Sequence, residues 1–146
     1  MDADRPDTAL IAAYLATDYV VAVSPPFVLR VGSCSVELDR LMRLHGVDCA
    51  AFVTAWNPGS VRIAHDENRA AQERLESMLS TAGYTLIPGE GRDPAGHWPG
   101  EPSVLVLGLP RSAAVDTGRA YRQHAVLWVR CGATVELVLV ADPGGP

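Results

Sequence analysis

Lysine is absent from this 146-residue chain, and all 12 basic residues are arginine. Against 17 acidic residues they leave a formal charge of −5, so the chain lacks the basic footprint that holds a phosphate backbone, and a nucleic-acid partner is disfavoured. Arginine in place of lysine, together with the richness in alanine, glycine and proline, reads as the coding bias of a GC-rich genome and carries no functional meaning. Long apolar runs are missing too. None approaches the ~18 residues that cross a bilayer, and residues 1–7 are acidic where a secretory signal carries positive charge. The expected location is cytoplasmic. Cysteine is scarce: Cys34, Cys49 and Cys131 form an odd set without CxxC spacing, matching neither a disulfide framework nor a zinc ribbon. They are expected as small buried residues. The imidazoles of His45, His65, His97 and His124 show no HxxxH or HExxH spacing, so no metal is predicted and no cofactor is assigned. His45 lies on an apolar helical stripe, where a core position or a helix C-cap is expected.

What is present is an ordinary globular balance, 48% apolar and 20% charged residues, enough to bury one core. One domain over residues 7–141 is expected, with loose tails at 1–6 and 142–146. Asp7 to Ala16 reads as a short helix with Leu10, Ala13 and Tyr14 on one stripe and Asp7 or Thr8 as its cap. Tyr19 to Val23 and Phe27 to Val31 read as a hairpin around Ser24-Pro25-Pro26. Leu38, Leu41, Met42 and His45 set a helix from Ser35 to His45, closed by Gly46. The unbroken small and apolar run Cys49 to Ala55 fits an inner strand covered on both faces.

Asp66 to Ala82 carries Ala71, Leu75, Met78, Leu79 and Ala82 on one stripe, a second helix ending at Gly83. Tyr84 to Ile87 and Ser103 to Leu107 read as strands, joined by an irregular stretch from Pro88 to Pro102. Pro110 opens a helix from Arg111 to Arg122 with a narrow face of Ala113, Thr117, Ala120 and Tyr121. Ala125 to Val129 and Val135 to Val140 close the chain as two strands. The order α-β-β-α-β-α-β-β-α-β-β predicts an α+β fold: a mixed sheet of about seven strands with about four helices packed on it.

Polar chemistry gathers where the inner strand ends in Trp56-Asn57-Pro58-Gly59-Ser60 and leads toward a helix, a place that sets side chains and amides at a sheet edge. Asn68 falls on the buried stripe of that helix. Arg69 stands near the helix N-terminus, where a cation is disfavoured unless an anion is close. Each residue alone suits a structural role: Asn57 in a turn, Asn68 tying a loop, Arg69 paired with Glu73. Together they point to one rim. The Pro88–Pro102 stretch is a lid or a surface loop pinned by Trp98, and a fold over the edge would bring Glu101 to the same place. Ser33-Cys34-Ser35 between strand and helix offers a thiol, but without a paired base Cys34 is a packing residue and Ser33 or Ser35 an N-cap.

These residues carry a resemblance. Tyr14, Thr17 and Tyr19, the run Phe52-Val53-Thr54-Ala55-Trp56-Asn57-Pro58 with Ser60, then Asn68, Leu75, Gly91, Trp98, Glu101, Ser103, Gln123, Ala125 and Trp128 resemble a bacterial family known as domain of unknown function 3293. Nearly the whole chain is covered, and Thr-Ala-Trp-Asn-Pro is the specific part. The family implies positions and no mechanism: Trp56, Asn57, Asn68, Trp98, Glu101 and Gln123. His124 departs from the pattern, which expects a small polar residue there.

Two functions from different classes remain. In one, Asn57, Asn68, Arg69, Glu101 and Gln123 orient a small anionic ligand, a nucleotide or a carboxylate, against Trp56 or Trp98, with Glu101 as the candidate general acid or base. In the other, the chain is a noncatalytic accessory module whose acidic surface meets a basic protein partner.

Overall fold

Five successive apolar residues at 49–53 cannot keep one side wet, and the strand they form is buried along its whole length. It is β3 (Cys49–Val53) of a computed structural model that describes residues 8–140. Before it come α1 (Thr8–Ala16), β1 (Asp18–Val21), β2 (Phe27–Leu29) and α2 (Val36–Leu44). After it come α3 (His65–Thr81), β4 (Thr85–Arg92), β5 (Glu101–Leu107), α4 (Arg111–Ala120), β6 (Ala125–Arg130) and β7 (Glu136–Leu139). This is the element order that the sequence predicts. The tails and the Asp7 cap expected from the sequence lie outside the described residues.

All seven strands join one sheet in the order β2-β1-β4-β5-β3-β6-β7. Every neighbouring pair is antiparallel, where the helical crossovers suggested a mixed sheet. The reason is an insertion. The β3-α3-β4 crossover does bring β4 parallel to β3, but β5 lies between them; β5 and β6 are parallel in the same way, with β3 between. Two interlocked split β-α-β units result, the topology of a ferredoxin-like core. The parallel pairing that remains is one bridge, Val31 with Val135.

Alternation along β3 distributes its side chains to two cores. Ala51 and Val53 meet Val104, Val106, Val126 and Trp128 under α3 and α4, which contribute Leu75, Leu79 and Ala114. Ala50 and Phe52 face the other way, toward Leu105, Leu127, Val129 and the α2 residues Leu38 and Met42. Ser35 caps α2 by accepting from the Leu38 N–H at 3.0 Å, and His45 is its exposed C-cap. The contact face of α4 is rotated from the expected one: Ala114, Thr117 and Gly118 are buried. A Cβ on Gly118 would stand 2.8 Å from Val126, so helix and sheet approach more closely than alanine allows. Cys49 is buried, but Cys34 is exposed, because it sits in the bridge to Thr134 rather than in a core.

The Pro88–Pro102 stretch departs most from its irregular reading. β4 runs through Pro88, Gly89 and Gly91 to Arg92, and β5 starts at Glu101. Pro88 directs its carbonyl to the Ala22 N–H at 2.9 Å, just where β1 ends. In an antiparallel strand N–H and C=O of one residue point to the same side, so the donor that proline lacks would face the end of β1 and none is missing from the β4–β5 ladder. Gly89 makes room for Phe52: an added Cβ would lie 2.6 Å from the ring and 2.8 Å from the Val20 carbonyl oxygen. Gly89→Ala is therefore expected to destabilise the fold by about 1–3 kcal/mol through overpacking, measured by chemical denaturation; an unchanged midpoint would show that Phe52 yields freely.

Candidate functional site

Beyond Val53 the chain bends out of the β3 ladder, and its next amides need other partners. The Ala55 N–H donates to Gln72 Oε1 at 2.8 Å, the Trp56 N–H to Thr54 Oγ1 at 3.0 Å, and the Asn57 N–H to Asn68 Oδ1 at 2.7 Å. Thr54 in turn donates to the Pro102 carbonyl of β5 at 2.7 Å. Asn68 and Gln72 are one helical turn apart on the buried face of α3, beside Ala71, Leu75 and Leu79. Their placement follows from the apolar stripe itself.

The turn that follows is left-handed at Asn57, Gly59 and Ser60, with φ of 47°, 66° and 62°. Arg122, φ 58°, lies against it and its carbonyl accepts from the Gly59 N–H at 2.6 Å. Among the described residues, Asn57, Ser60 and Arg122 are all the non-glycine residues with positive φ. Each such conformation costs of order 1 kcal/mol or more and persists where its surroundings enforce it.

Asn57 links the turn to β5. Its Oδ1 accepts from Asn68 Nδ2 at 2.8 Å and from the Ile63 N–H at 3.3 Å, while its Nδ2 donates to Glu101 Oε2 at 3.2 Å. Glu101 is half-buried. Burial pushes its carboxyl above the ordinary range, against the Asn57 hydrogen bond and the positive charge of Arg62, which pull it down. Gln123 Nε2 donates to the carbonyls of Trp56 and Tyr121, both at 3.2 Å. The Trp56 ring stands edge-on to His65, centroids 5.4 Å apart.

A cavity of about 300 Å³ opens at this edge. Tyr19, Phe52, Leu127, Leu137 and Glu101 line it from the sheet, Tyr14 and Ala13 from α1, and Trp56, Asn57, Ser60, Trp98 and Gln123 from the surrounding turns. The stripe Leu10, Ala13 and Tyr14 is the face that α1 turns to the cavity; no residue of that helix is fully buried. Burial raises the Tyr14 hydroxyl above its ordinary value, with a Ser60 hydrogen bond opposing and the Glu101 charge adding. Tyr19 donates to the Tyr14 carbonyl at 3.0 Å, and burial raises its hydroxyl as well.

The structure thus brings Trp56, Asn57, Asn68, Trp98, Glu101 and Gln123 to one sheet edge. Asn68 serves there by holding Asn57 and does not line the cavity. Arg69 is not part of the cluster: it is exposed, its guanidinium 3.3 Å from the His65 ring. One residue beyond Asn68 is about 100° further around the helix, and Asp66 and Glu67 already supply the negative charge that the first turn favours. The connection that could have formed a lid shortens to residues 93–100, where the Asp93 carboxylate holds the Ala95 and His97 N–H groups at 2.9 and 2.8 Å. Trp98 is its residue at the cavity.

Thr54, Ser60 and Gln72 were not predicted as site residues. Gln72 was within reach of the sequence, since an amide four residues after Asn68 repeats on the same stripe. Thr54 and Ser60 stand in the run that carries the family resemblance, but no periodicity marks them, because their partners come from β5 and α1.

A family model described as protein of unknown function, DUF3293, matches residues 53–126, half of the chain. That segment runs from the end of β3 to the start of β6 and holds Trp56, Asn57, Asn68, Trp98, Glu101 and Gln123. No curated protein and no solved structure matches the chain. Among the described residues no helix is long and apolar enough to cross a membrane.

Removing an amide that holds the turn leaves a buried N–H unpaired. Asn68→Ala and Gln72→Ala should each cost about 1–3 kcal/mol in urea denaturation, whereas Arg69→Ala should stay within about 0.5 kcal/mol. The Glu101 carboxyl, raised by burial, sets a pH dependence of known sign. Its ionisation weighs against the fold above the raised value, and that penalty vanishes below the ordinary value of 4.5. The thermal midpoint of Glu101→Gln should therefore exceed wild type most near about pH 8, with the gap closing toward about pH 4. A gap that widened on acidification would mean that Glu101 stabilises the fold as a carboxylate.

Proposed function

The chain belongs to the DUF3293 family, and from the geometry of its sheet edge we propose that it binds a small organic molecule in the cavity at the end of β3. One observation carries the reading: a half-buried carboxylate, Glu101, with one oxygen on Asn57, stands in the wall of a mostly apolar and aromatic cavity of about 300 Å³. Ligand sites combine apolar walls with a few fixed polar groups, and this volume is at the lower end of their range. Burying a carboxylate costs stability, and a core built for packing alone would place an apolar group there. The side-chain hydrogen bonds beyond β3 support a preformed wall.

The anionic ligand expected from the sequence, a nucleotide or a carboxylate, depended on Arg69. With that guanidinium beside His65, no cation lines the cavity among the described residues, and an anion would find no counter-charge in its wall. Glu101 remains the candidate acid or base of any reaction at the site, since burial moves its carboxyl toward neutrality.

Ala13 offers a test because it is exposed, sits on α1 and still borders the cavity, so Ala13→Trp can fill the mouth without disturbing a core. Freshly purified wild-type protein should carry a bound small-molecule mass in native mass spectrometry that Ala13→Trp loses. A ligand held at 100 times its Kd adds about 2.7 kcal/mol to stability. Identical spectra for the two proteins, with no added mass in either, would argue for a cavity that is only a packing defect.

A further inference from the structure

The hydrogen bonds at the sheet edge fix which way its side-chain amides face. Asn57 cannot turn its amide around, because the Ile63 N–H fixes its Oδ1 as an acceptor and leaves Nδ2 to face Glu101. Asn68 is fixed in the same way by the Asn57 N–H. Two carbonyls, those of Trp56 and Tyr121, fix the Nε2 of Gln123. Among the described residues, Gln123 Oε1 and Glu101 Oε1 accept no hydrogen bond, while their neighbouring atoms Nε2 and Oε2 are engaged. Both residues line the cavity, and each is held on one of two consecutive residues, Trp56 and Asn57. Glu101 is the one charged side chain in that lining among the described residues. Tyr14, Trp56 and Trp98 add aromatic rings to the same lining, and ring faces attract cations.

Resting on the binding reading above, we infer that the molecule this cavity takes is an organic amine. Its ring or alkyl body lies against Tyr19, Phe52 and Leu127, and its ammonium or N–H group is received by Glu101 with Gln123 beside it. A carboxylate or phosphate meets the reverse situation: like charge from Glu101, with no cationic side chain in the lining among the described residues to offset it. The preference is one of charge and of hydrogen-bond direction together, which matched compounds separate.

Three indole probes differ at one group: tryptamine, tryptophol and indole-3-acetate, each titrated into wild type, Glu101→Gln and Ala13→Trp with calorimetry and thermal melting. Benzylamine, benzyl alcohol and benzoate form a second set. In at least one set the amine should bind at least tenfold more tightly than its alcohol and carboxylate, and Glu101→Gln, which keeps the acceptor for Asn57, should remove that advantage while retaining the wild-type fold by circular dichroism. Equal or tighter binding of the alcohol or carboxylate, abolished by Ala13→Trp, overturns the amine and leaves the cavity as a binding site. Amine binding that survives Glu101→Gln within twofold also overturns the amine assignment. Silence of both amines in wild type overturns it too, and silence of all six probes together with no endogenous bound mass overturns the binding reading as well.

Discussion

Three consecutive N–H groups, those of Ala55, Trp56 and Asn57, leave the ladder at the end of β3 and are met by side chains of Gln72, Thr54 and Asn68. An unmet buried amide costs about 1–3 kcal/mol, so the path of the chain into the site is bound to the position of α3. That helix is fixed by Ala71, Leu75 and Leu79 against the sheet. The wall of the cavity is in this sense an extension of the core: what positions Asn57, and through it Glu101, is the packing of apolar residues one to three turns further along α3.

The left-handed residues fit the same picture. Asn57 and Ser60 bracket Gly59, whose N–H is held by the carbonyl of Arg122, itself left-handed. Two segments in costly conformations thus lean on each other where β3 ends and β6 is about to begin. Neither would keep its shape alone. The arrangement places the Trp56 carbonyl beside Gln123 and the Asn57 amide beside Glu101, which joins the two halves of the rim.

Much of this was legible in the sequence where periodicity decided it. The stripe 71, 75, 79 located α3 and set Asn68 on its inner face, and the continuous run at 49–53 marked a strand buried on both sides. Legibility failed where the cause lies in another strand. Pro88 and Gly89 look like loop residues until the end of β1 and the ring of Phe52 are seen beside them. The insertion of β5 between β3 and β4 cannot be read from element order, since the same crossover suits a parallel neighbour. Arg69 shows a different failure: a guanidinium near a helix N-terminus suggested an anion, but the direction of its side chain is set by the stripe and its charge is offset locally.

The two hydrogen bonds that join Gly32 and Ser33 to Val135, at 2.8 and 3.0 Å, attach the chain after β2 to the entrance of β7. They bear on how the sheet could grow. β2 offers three residues at one margin, and β7 offers four at the other with its entrance already occupied. Among the described residues a foreign strand finds no long template at either margin, and Pro25-Pro26 keep β2 from lengthening at its start.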